Sequence, residues 1–372
     1  MGHKLRRVAV VGAGMAGLAC AAALHAAGLQ VEVFDKSRRI GGRLAVRRVD
    51  RAASGLDGIS FNHGAAYASA RSPAFRALMD SMSSAGAAAP WPAAGAGRWS
   101  GTPGMSALAR HTGHLGAETV RTQRHVAFLT RTPAGWTVRH LDADPGGPHC
   151  LVAQPGGSHV GPTIPGQREA DAAAPRPGLV TDEGGQVAGP YDAVLLALPA
   201  PQAAALLAAV PHRFASDAAR AGMAPCWALM AAFPKPTGAP DLPQPGGALA
   251  WIARDSSRPG RAAAPECWVA HASAAWSRTH LEDDPAKVKP LLLHEFARTT
   301  GIQAAPAYAA VHRWRYALAD APLGVPALWD PVASLGVCGD WCLGARIESA
   351  FDSGRALAAL AAPDASAALA AP

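Results

Sequence analysis

At 372 residues and 49% apolar content, the chain can bury one large core or the cores of two interlocked domains. Its net charge of +7 comes mostly from scattered arginines, with lysine only at Lys4, Lys36, Lys235, Lys287 and Lys289. With no basic run beyond residues 4–7, this reads as a solvated basic surface and not a nucleic-acid stripe. Such a surface still attracts an anionic small molecule.

Cysteines stand at 20, 150, 226, 267, 338 and 342, without a C-x-x-C pair, and the histidines are dispersed. No metal site is expected. The free thiols fit a reducing, cytoplasmic compartment. No run of about 20 apolar residues escapes Gly, Pro or charge, so no transmembrane helix and no membrane partner is expected. The apolar start breaks at Gly12 and reads as a strand, not as a signal peptide.

In chain order, residues 8–11 are a short apolar strand. A glycine turn follows with Gly12, Gly14 and Gly17, then an alanine-rich helix, then a second strand ending in Asp35. Each part has a mechanical reason. Gly12 permits the tight turn, Gly14 lets a pyrophosphate approach the backbone, and Gly17 lets the helix pack close to the sheet. The helix N-terminus offers N–H groups and a positive dipole end. Asp35, about 20 residues on, can take ribose hydroxyls. This is a dinucleotide site.

The second strand runs on into Gly41-Gly42-Arg43. Two glycines free the backbone for close approach, and Arg43 supplies fixed charge. The turn resembles the one that packs against FAD phosphates and the ribityl chain in flavoproteins of the amine-oxidase type.

Further along, helices are expected over 72–84 and 105–111, and a strand pair over 119–126 and 136–141. The stretch 85–104 is rich in Pro, Gly and Ala and contains Trp91 and Trp99. Residues 142–180, also rich in Pro and Gly, read as a flexible insertion. A buried strand over 191–198 precedes a helix over 201–210. Strand-like runs at 227–233, 249–253 and 267–272 lead to a helix over 284–300 with Asp284-Pro285 at its start. The C-terminal strand ends in Gly339-Asp340, and a last helix begins near Ile347. Both ends of the chain thus offer strand–turn–helix units that must meet around one cofactor.

Taken together, the segments 12–17, 35–43, 63–65, 103–106, 225–230, 268–273, 276–277, 312–317 and 338–342 resemble the renalase-like FAD-dependent oxidoreductases, within the wider amine-oxidase flavoprotein group. The likeness spans nearly the whole chain apart from 142–180 and the tail. It implies an α/β fold: a discontinuous, doubly wound Rossmann-type FAD domain (1–69, 118–222 and 318–372) and a second, mixed-sheet substrate domain (70–117 and 223–317). It implies non-covalent FAD. Beyond Gly12, Gly14, Gly17, Asp35, Gly42 and Arg43, it implies cofactor contacts at Met15, Ala16, Lys36, His63, Gly64, Ala65, Gly339, Arg346 and Ala350. Asp340 would hold the ribityl chain or pyrophosphate, Val126 would lend backbone to the adenine, and the helix from Ile347 would point N–H groups at the flavin. The chain departs from the pattern at Ala66, where the family commonly has Gln.

Amine oxidation in the wider group usually involves a lysine holding water near the flavin. Lys235 lies between prolines, and Lys287 and Lys289 lie in a charged helix, so none suits. Renalase-type enzymes instead oxidise 2- or 6-dihydronicotinamide dinucleotides to NAD(P)+, with O2 reduced to H2O2. Such donors need stacking and orientation more than acid–base help. Tyr67, Trp251, His271 and Trp276 are the candidate pocket residues. An amine or carotenoid-type oxidase of the same fold, and a non-catalytic flavin-bound scaffold, are the competing readings. Oligomeric state is not legible.

Overall fold

The structure is a computed structural model that describes residues 5–49, 56, 58–113, 120–142 and 185–363. From residue 143 on, the expected insertion lies outside the described residues, as do Cys150 and the tail from 364.

The chain opens with β1 (Arg7–Val11), α1 (Met15–Ala26) and β2 (Gln30–Phe34). Short elements follow: β3 (Arg47–Arg48), β4 (Ser60–Phe61), β5 (Ala68–Ser69), α2 (Pro73–Ser84), β6 (Ala88–Pro90), β7 (Arg98–Gly101), α3 (Ser106–Thr112) and β8 (Val120–Arg121). Then come β9 (Arg124–Thr132), β10 (Gly135–Asp142), β11 (Gln186–Tyr191), β12 (Ala193–Leu196), α4 (Ala200–Leu207) and α5 (Phe214–Ala219). A second group holds β13 (Gly222–Phe233), β14 (Leu249–Arg254), β15 (Glu266–Ala272), α6 (Ala274–Thr279), α7 (Pro285–Thr300) and β16 (Tyr308–Ala321). The chain returns through β17 (Leu328–Asp330), β18 (Leu335–Val337), α8 (Asp340–Leu343) and α9 (Ile347–Ala361).

A six-stranded sheet has the order β17-β18-β12-β1-β2-β8. It is parallel except for β17, which pairs antiparallel with β18 at the edge. Val8, Val10 and Leu195 face one apolar cluster, while Ala9, Val11, Val194 and Leu196 face another. Burial on both faces explains why these strands read as unbroken apolar runs. Helices α1 and α9 cross on the first face at the closest distance the backbone allows. A Cβ on Gly354 would lie 2.1 Å from the Ala16 carbonyl oxygen.

A four-stranded sheet, β14-β15-β13-β16, stands beside it. It is antiparallel throughout; the mixing of strand directions that the sequence suggests for it falls instead at β17. Alternation along β13 sends Trp227, Leu229, Ala231 and Phe233 to one face. There α7 covers them with Val288, Leu292 and Phe296. Helix α7 is fixed at both ends: Asp284 Oδ1 accepts from the Ala286 N–H at 2.6 Å, and Gly301 closes it at φ +75°. Met230 and Ala232 point to the opposite face.

Three regions differ from the sequence expectation. The strand pair begins later and runs longer, as β9 and β10. Residues 85–104 hold β6 and β7, and β7 pairs with β6 on one side and β5 on the other. These strands are too short to give a periodic signal. Helix α5 precedes β13, where six residues leave no room for a visible 3.6-residue repeat.

Gly354→Ala should force α9 off α1 and cost about 1–3 kcal/mol. Thermal unfolding measures this; an unchanged melting temperature would show that the crossing has slack.

Candidate active site

The glycine turn leaves β1 at Gly12 (φ +109°), where a Cβ would meet the Ala197 carbonyl oxygen at 2.5 Å. A Cβ on Gly17 would lie 1.9 Å from the Gly12 carbonyl oxygen. These two glycines are therefore required by the fold. Gly14 is different. Its φ of −81° suits any residue, and nothing lies within 4 Å of a Cβ placed there. Open space at Gly14 is what a pyrophosphate needs. Gly14 also begins α1 without a side-chain cap, so the first N–H groups at Met15, Ala16 and Gly17 have no intrahelical acceptor. The turn therefore fits an anionic ligand.

The second turn closes over the first. The Gly41 N–H donates to the Ala13 carbonyl at 2.8 Å, and a Cβ on Gly42 would come within 3.5 Å of Gly14 Cα. Asp35 stands at the end of β2. Its Oδ2 accepts from the Ala13 N–H and its Oδ1 from the Ser37 N–H, both at 2.7 Å. It orders the turn while keeping further lone pairs for a ribose. Burial draws the Lys36 pKa down against the pull of Asp35. Strand β9 joins here, with the Arg124 N–H donating to the Asp35 carbonyl at 2.8 Å. Val126 follows two residues on along β9, its side chain in the core cluster beneath β2.

Arg43 reaches across to the other end of the chain. Its Nη1 donates to Asp340 Oδ2 at 2.7 Å and its Nη2 to Asp340 Oδ1 at 2.6 Å. Nη1 also donates to the Ala317 carbonyl at 3.0 Å. Burial works against the Arg43 charge, and Asp340 more than offsets it, so its pKa is raised. The two residues expected to meet the cofactor separately are one bidentate unit. Gly339 donates its N–H to Ser353 Oγ at 3.0 Å, tying this corner to α9. Helix α9 starts at Ile347 after an extended Arg346, with no side-chain cap. The Ala350 N–H already donates to the Arg346 carbonyl.

His63, Gly64 and Ala65 cross over Arg43. The Ala65 N–H donates to the Arg43 carbonyl at 2.9 Å, and a Cβ on Gly64 would clash with the same oxygen at 2.0 Å. The preceding Asn62 is locked by buried Asp255, which accepts from its backbone N–H at 3.0 Å and its Nδ2 at 3.1 Å. Burial alone would push the Asp255 carboxyl up; Arg258 and Arg261 hold it below its ordinary value.

Sheet register then assembles an aromatic wall. Trp251 pairs with His271, His271 with Ala228, and Ala228 with His312. The row spans all four strands, with small Ala228 between two imidazoles. The His63 carbonyl accepts from His271 Nε2 at 3.2 Å and from Trp314 Nε1 at 3.0 Å. The His63 ring stacks on Trp314 at 5.2 Å and meets His312 edge-on at 4.8 Å. Tyr67 joins through Trp251, ring centres 5.5 Å apart. Trp276 does not join. It packs on the α7 side of the sheet, with its ring 4.0 Å from His280.

Sequence reasoning thus brings Tyr67, Trp251 and His271 together but misplaces Trp276 and overlooks His312 and Trp314, which the register adds to the wall. The signal was there: residues 312 and 314 alternate on β16. Among the described residues no lysine joins the wall, and Lys235, Lys287 and Lys289 are exposed. Burial, with His312 beside it, lowers His63 to about 3, and burial lowers His271 to about 4. Both are neutral at pH 7.

Residues 10–82 match a NAD(P)-binding Rossmann-like domain. Residues 171–362, more than half of the chain, match the flavin containing amine oxidoreductases. The chain belongs to that family. Several solved structures share its fold. One, assigned as a protoporphyrinogen oxidase from Exiguobacterium sp. 255-15, has a TM-score of 0.67 at 10% identity, covering 98% of this chain and 100% of its own. Cyclohexylamine oxidase from Brevibacterium oxydans IH-35A gives 0.60 at 14% identity, with 97% and 99% covered. A cofactor-binding redesign of putrescine oxidase gives 0.59 at 13%, with 95% and 98% covered. This flavin containing amine oxidoreductase is an FAD-dependent enzyme. Among the described residues no helix is long and apolar enough to cross a membrane, and no cluster of His, Cys, Asp or Glu is placed to hold a metal.

Two tests follow from this geometry. Gly14→Val should leave the melting temperature of the apoprotein unchanged and abolish flavin retention; full flavin content after gel filtration would remove the assignment. The second concerns acid. Both imidazoles stay neutral in the folded state, while their unfolded value is near 6.5. The unfolded chain therefore gains protons first, and stability falls as pH drops below about 6.5. The loss at pH 5 is about 2 kcal/mol for each. His271→Gln keeps a donor for the His63 carbonyl without titrating, so its stability should fall less between pH 7 and 5. An identical fall in wild type and variant would refute this.

Proposed function

We propose that this chain is a renalase-like oxidase, taking 2- or 6-dihydronicotinamide dinucleotides to NAD(P)+ with O2 reduced to H2O2. The observation that carries the reading is the wall itself: neutral His63 and His271, with His312, Trp251 and Trp314 beside them and no lysine among them. Bound FAD supplies the two-electron acceptor and the route to oxygen. The residues inferred to hold it are those of the two glycine turns, Asp35, Lys36, Val126, the Arg43–Asp340 pair and the starts of α1 and α9. On this reading they belong to a discontinuous FAD domain, and β13–β16 to a substrate domain.

Trp251, flanked by Tyr67, offers a flat face on which a nicotinamide ring can stack, which fixes the ring carbon presented for transfer. His271 is anchored to the His63 carbonyl, so its ring does not swing. Uncharged imidazoles neither repel nor trap a donor that leaves as a cation. An amine donor needs a base or an ordered water to lose its proton, and this wall offers no lysine for that purpose.

The cofactor is read as non-covalent. Burial pushes the Cys342 thiol up to about 12, and a hydrogen bond with Cys20 together with burial pushes Cys338 well above its ordinary value. Neither gives the thiolate that attachment to the flavin would require.

Anaerobic stopped-flow decides between donors. The 2- and 6-dihydro isomers should bleach the flavin at least tenfold faster than ordinary NADH or benzylamine, and readmitted air should yield peroxide. Faster bleaching by an amine would favour the amine-oxidase reading. No bleaching by any of them would favour a scaffold.

A further inference from the structure

The aromatic wall continues past Trp251 to an arginine that the fold does not use. Arg98 on β7 lays its guanidinium over Tyr67, 3.9 Å from the ring centre. Tyr67 meets Trp251, Trp251 pairs with His271, and His271 reaches the His63 carbonyl. Arg98, Tyr67, Trp251 and His271 are all half-buried. The chain of contacts therefore runs along an accessible surface.

Its charge is unbalanced. Among the described residues no carboxylate pairs with Arg98, and its side chain makes no hydrogen bond. The neighbouring Arg258 is different: it is buried on Trp91 and its Nε donates to Asp255 at 2.5 Å. Arg261 also faces Asp255, at 3.5 Å. One carboxylate thus serves two guanidiniums, and positive charge is left over even before Arg98 is added. Stacking on Tyr67 holds the Arg98 fork without consuming its donors. A fork held this way is pre-organised for a carboxylate or phosphate. A cationic amine would meet repulsion here.

We propose that Arg98, propped on Tyr67, binds the anionic bridge of the substrate, a dinucleotide pyrophosphate, at the end of the aromatic row. This rests on the dinucleotide-oxidase reading and adds the residue that selects phosphate-bearing donors. The nicotinamide end stacks toward Trp251 and His271, and the pyrophosphate lies at Arg98.

The test uses holoenzyme and calorimetry, so that binding is read without turnover. NAD+ is the probe, and nicotinamide riboside is its phosphate-free counterpart. Arg98→Gln should weaken NAD+ binding about tenfold or more and leave riboside binding unchanged. Arg98→Lys should restore part of the affinity. Tyr67→Ala, which removes the prop, should weaken NAD+ as well. Wild-type affinity for NAD+ should fall with ionic strength, and Arg98→Gln should flatten that dependence. Flavin content and melting temperature check that each variant is folded. NAD+ that fails to bind wild type, or that binds Arg98→Gln equally well, overturns the inference. If the isomeric donors do not bleach the flavin while NAD+ binding still depends on Arg98, the oxidase reading falls and the subsite stands. If they bleach it and Arg98→Gln changes neither NAD+ affinity nor the donor KM, the subsite falls and the oxidase reading stands.

Discussion

The bidentate pair of Arg43 with Asp340 joins segments 297 residues apart, and the rest of the site is arranged around it. The guanidinium is also held by the Ala317 carbonyl on β16, so the glycine turns, the C-terminal corner and the second large sheet meet at one side chain. A charge pair in a crowded place is weak evidence for stability, because desolvation offsets much of its attraction. Its effect here is geometric. The backbone carbonyl of the same arginine receives the Ala65 N–H, and the tight crossing at Gly64 sets His63 beside the aromatic wall. Moving Arg43 would move all three.

Much of the nucleotide end was legible in the sequence because its logic is local. A tight turn, an open backbone and a closely packed helix each demand glycine within six residues, and Asp35 falls at the end of the very next strand. The start of α7 is likewise local, because Asp284-Pro285 opens the helix. The substrate side is not local. Whether His271 and His312 flank the same alanine depends on the register of three strands drawn from residues 222–321. Composition does not encode that register. Trp276 shows the same limit from the other direction: a tryptophan close in sequence to His271 lands across the sheet because a helix turn intervenes. Arg98 was invisible for a further reason, since its strand pairs only with fragments two or three residues long.

The four-stranded sheet has two faces with opposite duties. On one, Trp227, Trp268 and Phe296 build a dry core under α7. On the other, His271 and His312 stand with His63 and Trp314, half-buried except for His63. Period-two alternation is what permits both at once, since residues 227 and 228 point opposite ways. The smallness of Ala228 matters most at the second face. A larger side chain between the imidazoles would fill the middle of the row.

The strand order of the six-stranded sheet also bears on how the protein acquires its shape. The two central strands, β1 and β12, come from residues 7–11 and 193–196, and β18 adds residues 335–337 to their edge. Such pairings are dominated by large sequence separation, and parallel strands gain nothing until distant segments arrive. The nucleotide turn can form early, from contacts within the first few dozen residues. The carboxylate that Arg43 needs arrives only with residue 340. Until then the arginine is an unpartnered cation and the floor beneath α1 lacks α9. The two glycine turns thus hold each other through short-range contacts, while their clasp closes across 297 residues.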